Sequence, residues 1–226
     1  MSTIATHHPN HSLLRDYFSL SAWGMFAFSC VVHIIVLFIQ QEYVLTNTVY
    51  YNTLGEQLTV ERIDAFLQTR QKWAWLGYVI IPLTVGLQAL LISICLGTGA
   101  ILLDYKVRFG ALFGMVVKAL AIFAVGRVLF MLVALFTEVR NLDDLLQADV
   151  FSLLGWIGKD GIPDWLLYPL SVVNVFEVLF WLLLAGGMGY LLQRRWLRMI
   201  GFVAATYGIG LLLWMLFIVF LQLNLQ

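Results

Sequence analysis

Ionisable side chains inside long apolar runs are the residues of this chain whose type and position favour chemistry. Arg127 lies in the run 109–136 and Glu177 in the run 165–192, and both runs are otherwise almost entirely apolar. A charged group inside a membrane is costly, and it usually faces protein or a wet cavity where it moves protons or ions or binds a ligand. These two residues are therefore the first candidates for a functional site.

Depth along each helix predicts which of these groups meet. Counted from the ends of their runs at 1.5 Å per residue, Arg127 lies about 15 Å deep and Glu177 about 17 Å deep. Asn174 is one helical turn from Glu177, and His33 of the first apolar run lies within a turn of the same depth. We predict a mid-membrane polar cluster built on an ion pair, with these members: Arg127, Glu177, Asn174 and His33.

A second polar layer is predicted nearer the opposite face of the membrane. Lys118, Gln88 and Tyr207 each lie roughly 12–14 Å from the face at which the third run begins. Lys118 and Arg127 are nine residues apart, which places them on opposite faces of one helix. The third run is therefore predicted to be an inner helix with neighbours on two sides.

Two interpretations of these layers remain open at the level of sequence. In the functional one, they form a proton or ion path or a site for an anionic headgroup. In the structural one, Arg127 and Glu177 lock two helices together, while the Lys118 side chain extends to the membrane surface. The sequence alone favours the structural interpretation, because neither layer holds a second carboxylate to relay protons.

Other motifs predict no metal, no cofactor and no catalytic residue. Three histidines at 7, 8 and 11 lack a carboxylate or thiol that would complete a coordination shell. His33 is the one histidine in an apolar run, so a haem held by two histidines is not expected. The segment 141–149 resembles an aspartate-rich diphosphate motif, but Gln147 replaces its third aspartate, and a solvated acidic loop is the better interpretation.

Composition defines the elements that must position these groups. The 226 residues are 62% hydrophobic and 12% charged, whereas soluble domains average about 45–50% apolar and about 25% charged residues. The formal net charge of zero provides no general attraction to nucleic acid. Most soluble enzymes are thereby excluded, and an all-α polytopic membrane protein is predicted.

Hydropathy divides the chain into a short polar tail over 1–17 and one five-span membrane domain over 18–226. An amphipathic helix over about 59–71, capped by Thr59, is predicted to lie on the membrane surface before the aromatic residues Trp73 and Trp75. The five predicted spans are 18–40, 73–96, 109–136, 165–192 and 199–220.

The distribution of basic residues predicts the orientation of the bundle. The tail and the two short turns hold six basic and two acidic residues, whereas the long loops and the C-terminal end hold five basic and ten acidic residues. Basic residues concentrate on the cytoplasmic side of membrane proteins. We therefore predict a cytoplasmic N-terminus and a C-terminus outside.

Two features carry a family resemblance. Pro82 lies early in the second span, and the segment FSLLGWIGKDGIPDWLLYPLSVVNVFEVLFWLLLAGGMGY joins a Ser-Leu stretch and a proline to an apolar run with Phe176 and Gly187. Together they resemble the Yip family of five-span membrane proteins. Asn174 and Leu179 stand where many members carry aspartate and tryptophan. The tail is shorter than in the eukaryotic trafficking members, so the resemblance implies a bacterial cytoplasmic-membrane protein and does not imply GTPase binding.

The function predicted from these observations is non-enzymatic. The chain is expected to be a membrane-organising or accessory component, embedded in the lipid bilayer with a protein partner or a second copy and without nucleic acid. A small transporter or permease subunit that uses the Arg127/Glu177 layer is the first alternative. A membrane enzyme acting on lipids is the second.

Overall fold

The computed structural model describes residues 16–137, 139–147, 149–159 and 161–225. Across these ranges the chain is helical, with one isolated β-bridge and no strand. Five segments are long and apolar enough to cross a membrane: Ala22–Val44, Val60–Leu102, Phe109–Phe136, Val175–Leu192 and Trp196–Asn224. The predicted all-α class, with five helices long and apolar enough to span a membrane, is confirmed. Residues 1–15 of the predicted tail, with the three histidines, lie outside the described ranges.

The helices of the first half are α1 (Ala22–Ile39), α2 (Asn47–Leu54), α3 (Val60–Leu102) and α4 (Phe109–Phe136). Those of the second half are α5 (Leu142–Gln147), α6 (Leu153–Ile157), α7 (Asp164–Val172), α8 (Val175–Leu192), α9 (Trp196–Val203) and α10 (Ile209–Leu225). Two π-helical segments, Gln40–Val44 and Ala204–Gly208, continue α1 and join α9 to α10. Successive spans alternate in direction, so the start of α1 and the turns 103–108 and 193–195 share one end of the bundle, here called the short-turn end.

The second span is longer than hydropathy predicts. Thr59 occupies the N-cap position, and a single helix then runs from Val60 to Leu102 with Pro82 inside it. Its 43 residues extend over about 65 Å, roughly twice the hydrocarbon thickness of a bilayer. The predicted amphipathic helix is therefore the first part of α3 and not a separate element, because no helix-terminating residue separates position 71 from position 73.

The fourth span is interrupted where the sequence predicts a continuous helix over 165–192. Pro169 lies within α7, α7 ends at Val172, and Asn174 is extended with φ −139° and ψ 167° before α8 begins. Proline removes a backbone donor, and asparagine is a preferred N-cap residue, so both favour a boundary here. The predicted fourth span thus consists of two helices.

The core forms around α4. This helix contacts α1, α3 and α8, and its buried residues include Val116, Leu120 and Ala124. On α8, Phe180, Leu184 and Met188 are completely buried against them. The predicted inner position of the third span is confirmed, because α4 has neighbours on several sides.

Candidate functional site

The break between α7 and α8 is closed by backbone hydrogen bonds from a distant loop. The Leu153 N–H donates to the Val173 carbonyl at 2.9 Å, and the Val175 N–H donates to the Phe151 carbonyl at 3.0 Å. Between them, Ser152 is completely buried opposite Asn174. Backbone groups inside a membrane need a partner within the protein. The loop 151–153 supplies partners at the position where the helix has none.

Contacts with α4 fix the depth of this break in the bundle. A Cβ atom on Gly126 would lie 2.8 Å from the Phe176 ring, so that ring rests directly on the glycine backbone. Gly126 is ten residues before the end of α4 at Phe136, or about 15 Å along the helix. The Phe151 ring packs edge-on against Phe176 with centroids 5.2 Å apart. The loop therefore re-enters the bundle to this depth.

Asn174 begins α8 and positions Glu177 in its first turn. The Asn174 Oδ1 atom accepts the Glu177 N–H at 2.8 Å, and its Nδ2 donates to the carbonyls of Ser171 and Val172 at 3.3 and 3.1 Å. Negative charge is favoured at a helix N-terminus because the backbone dipoles point their positive ends there. This cap is the local reason why α8 tolerates a carboxylate at Glu177.

The Glu177 carboxyl is held by two hydrogen-bond donors. Its Oε1 atom accepts the Tyr207 hydroxyl at 2.7 Å and the Trp181 Nε1–H at 2.8 Å. Trp181 and Tyr207 meet edge-to-face with centroids 5.8 Å apart, and Phe180 meets Tyr207 in the same way at 5.4 Å. No basic side chain in the described part of the chain pairs with this carboxyl. Donors and aromatic rings, and no opposite charge, surround it.

The π-helical segment of the last span makes this contact possible. Tyr207 lies within Ala204–Gly208, where the wider turn changes the direction of the following side chains. A Cβ atom on Gly208 would lie 2.7 Å from the Trp181 ring, so glycine admits the indole at this position. The same segment therefore brings the Tyr207 hydroxyl to the Glu177 carboxyl and leaves room beside it for the Trp181 indole.

The predicted Arg127–Glu177 ion pair is wrong. The two residues do lie at nearly one depth, because Gly126 contacts Phe176. Arg127 follows Gly126 by about 100° around the α4 axis, and it is exposed on the surface of the bundle. It lies within electrostatic range of His33 on α1, whose Nδ1 atom is 2.7 Å from the Ser29 carbonyl oxygen. The structure thus joins Asn174 to Glu177 and leaves Arg127 and His33 on another face.

The predicted second polar layer does not assemble either. The Lys118 Nζ donates to the Phe18 carbonyl at 2.7 Å, Gln88 is exposed on α3, and Tyr207 bonds to Glu177. The last span begins at Trp196 and not at residue 199. Tyr207 consequently lies deeper than predicted and reaches the level of the carboxyl.

Sequence reasoning missed Trp181 as a site residue. It lies four positions after Glu177 on α8, and residues at this spacing are neighbours on a helix surface. That spacing alone is a sufficient signal for the contact. Gly208 and Ser152 carry no such local signal, because each acts on an element far away in the chain.

The arrangement suits a proton better than a metal ion. A bound metal ion such as Ca²⁺ needs several oxygen ligands, but both partners of the Glu177 oxygen are donors. In the described part of the chain, no group of three or more His, Cys, Asp or Glu side chains is placed to hold a metal. A single carboxyl with two donors can bind and release one proton.

No family model, curated protein or solved structure matches the chain. The resemblance to the Yip family therefore stays a prediction, carried by Pro82 and the segment 151–190.

Proposed function

We propose that this chain is a small transporter or permease subunit in which Glu177 binds a proton inside the membrane. The observation that supports this function is the Glu177 carboxyl beside a helix break at the beginning of the fourth membrane-crossing segment, hydrogen-bonded by Tyr207 and Trp181. Of the predicted Arg127/Glu177 layer, the proposed transport site keeps Glu177 and its N-cap residue Asn174. It does not include Arg127.

The lack of a contact between Arg127 and Glu177 argues against the ion pair on which the structural interpretation rested. An ionised carboxyl within the membrane is costly, while hydrogen bonds to its charged form favour ionisation. Opposing effects of this kind allow a carboxyl to exchange a proton instead of remaining in one state. The helix break before Glu177 and the π-helical segment that carries Tyr207 are both irregular backbone. π-helical turns occur often at functional sites.

Proton movement in vesicles tests the proposal. Purified protein is reconstituted into liposomes that contain a pH-sensitive dye, and a potassium diffusion potential drives protons inward. Glu177→Gln keeps an acceptor oxygen for Tyr207 and Trp181 but has no ionisable proton, so proton uptake should fall about tenfold or more. Arg127→Gln, at the same depth on an exposed face, is the matched control and should retain wild-type uptake. Equal uptake by wild type and Glu177→Gln contradicts the proposal.

An accessory or membrane-organising role is the second candidate. It is favoured by the last helix, α10, which keeps an array of large apolar side chains exposed: Ile209, Leu212, Leu213, Leu216, Phe217, Phe220 and Leu223. In that role a protein partner or a second copy within the bilayer covers part of α10. Cross-linking through a cysteine at Leu216 tests this contact, and an activity unaffected by Glu177→Gln favours it over transport.

We also propose that the chain lies in a bacterial cytoplasmic membrane with its N-terminus inside. The excess of basic residues at the short-turn end supports this orientation. In a variant whose Cys30 and Cys95 are replaced by alanine, a membrane-impermeant maleimide should label Asp144→Cys in intact cells. It should label Arg195→Cys only after the membrane is permeabilised. Labelling of Arg195→Cys in intact cells reverses the proposed orientation.

A further inference from the structure

A cleft of about 270 Å³ opens at the short-turn end of the bundle, between the beginning of α1, α4 and the end of α8. Its walls combine small and aromatic residues with one charged group: Ala22, Gly110, Ala111, Gly114, Tyr190 and Lys118. Tyr190 is thirteen residues after Glu177 on α8, or about 20 Å along the helix. The cleft is therefore separate from the Glu177 site.

Lys118 brings a positive charge into this cleft. It lies nine residues into α4, or about 14 Å from the helix start. Its Nζ donates to the Phe18 carbonyl at 2.7 Å, whereas an ammonium group has three N–H donors. No carboxylate among the described residues pairs with it. The protein thus provides a carbonyl dipole but no opposite charge.

The surroundings strengthen the positive character of this end. Arg108 occupies the N-cap position of α4, two positions before Gly110 of the cleft wall. Arg194 and Arg195 follow the end of α8, just beyond Tyr190. These basic residues outnumber Asp16 and Asp104, the acidic residues described at this end. The charge of the short-turn end of the bundle is therefore complementary to an anion.

We propose that the cleft binds one anionic phospholipid from the surrounding bilayer. The phosphate lies toward the Lys118 ammonium, beside the small residues Gly110 and Gly114, and the acyl chains extend toward the bilayer interior. A lipid fits better than a soluble anion because most of the wall is apolar and opens within the membrane-spanning part of α4. Basic pockets between membrane helices are known to bind acidic headgroups.

Lipid titration of the purified full-length protein, followed by native mass spectrometry, tests this site. The probes are phosphatidylglycerol, phosphatidylcholine with the same acyl chains, and inorganic phosphate. Phosphatidylglycerol should bind about tenfold more tightly than phosphatidylcholine. Lys118→Met should lower the phosphatidylglycerol affinity about tenfold, while Lys118→Arg should keep it within about twofold, because the latter retains the charge.

A second variant tests the cleft itself without changing any charge. A Cβ atom on Gly110 meets nothing within 4 Å, so Gly110→Leu has room at the backbone, adds bulk to the cleft wall and should also abolish tight binding of phosphatidylglycerol. Gly201 likewise has open space around it, and Gly201→Leu, outside the cleft, is the matched control that should bind like wild type. The proposal is overturned if both phospholipids bind equally to wild type, or if Lys118→Met and Gly110→Leu both retain binding. Displacement of the lipid by inorganic phosphate at equal concentration also overturns it, in favour of a soluble-anion site.

Discussion

Arg127 and Glu177 lie at one depth in the same bundle, yet their surroundings differ completely. Arg127 is part of the uninterrupted helix α4, and its side chain stays on the surface of the bundle. Glu177 follows a helix break and faces a π-helical segment, and Trp181 and Tyr207 donate to it. This bundle thus encloses an ionisable group through irregular backbone and neutral donors. It does not do so through a group of opposite charge.

Removing the enclosed carboxyl should have the largest effect on stability. Glu177→Ala leaves the Tyr207 hydroxyl and the Trp181 N–H without their acceptor, so the free energy of unfolding should fall by about 3 kcal/mol. Glu177→Gln retains an acceptor oxygen and should cost less than about 1 kcal/mol. Unfolding by a denaturing detergent in mixed micelles measures both values. Equal losses for the two variants would show that the hydrogen bonds contribute little.

Crowding the contact beneath the break should have the next largest effect. A methyl group on Gly126 would lie 2.8 Å from the Phe176 ring, so Gly126→Ala should lower the free energy of unfolding by about 1–2 kcal/mol. Gly201→Ala adds the same methyl group to a helix where the space is open, and it should be neutral or slightly stabilising. Thermal unfolding in detergent compares the two variants. If Gly126→Ala left the free energy of unfolding unchanged, the helix break would have to shift without cost to accommodate the added methyl group.

Removing the cap at the break should have a moderate effect. Asn174→Ala loses the acceptor for the Glu177 N–H and should cost about 1 kcal/mol. Asn174→Ser retains a capping oxygen and should recover most of this loss. Thermal unfolding in detergent measures the stability of both variants, and hydrogen exchange at the Glu177 amide reports the cap directly. Similar exchange rates in all three proteins would contradict the assigned cap.

Changes at the exposed charge should have the smallest effect. Arg127→Gln should alter the free energy of unfolding by less than about 0.5 kcal/mol, as is usual for surface substitutions. Combined with Glu177→Gln in a double-mutant cycle, it should give a coupling energy within about 0.3–0.5 kcal/mol of zero. A coupling well above this range would restore the ion pair that the sequence predicts and remove the contrast between the two regions.

Much of the fold follows from local properties of the sequence, but the site does not. Hydropathy over runs of about twenty residues predicts the five spans, and the two charges of α4 predict its inner position. Depth counting also placed Arg127 and Glu177 at one level. It could not give the rotation of α4 about its axis, which depends on Phe176 packing against Gly126.

The helix break shows where local signals end. Pro169 and Asn174 favour a helix boundary by their own chemistry. Such a boundary is tolerated inside a membrane only where the freed backbone groups find partners. Here the loop 151–153 supplies these partners, and it lies about twenty positions earlier in the chain. The π-helical segment around Tyr207 has no sequence pattern of its own, so the contact with Glu177 was beyond prediction by spacing.

The two backbone hydrogen bonds across the break have a consequence for how the protein enters its membrane. An uninterrupted helix can be inserted alone because its backbone groups are paired internally. The segment containing α7 and α8 is not self-sufficient, since the Val173 carbonyl is paired with Leu153 and the Val175 N–H with Phe151. We expect insertion of this span to be coupled to the docking of the preceding loop, so deleting residues 151–157 should reduce protease protection of α8 during synthesis. We therefore expect the fourth span to fold and to enter the membrane in the same step.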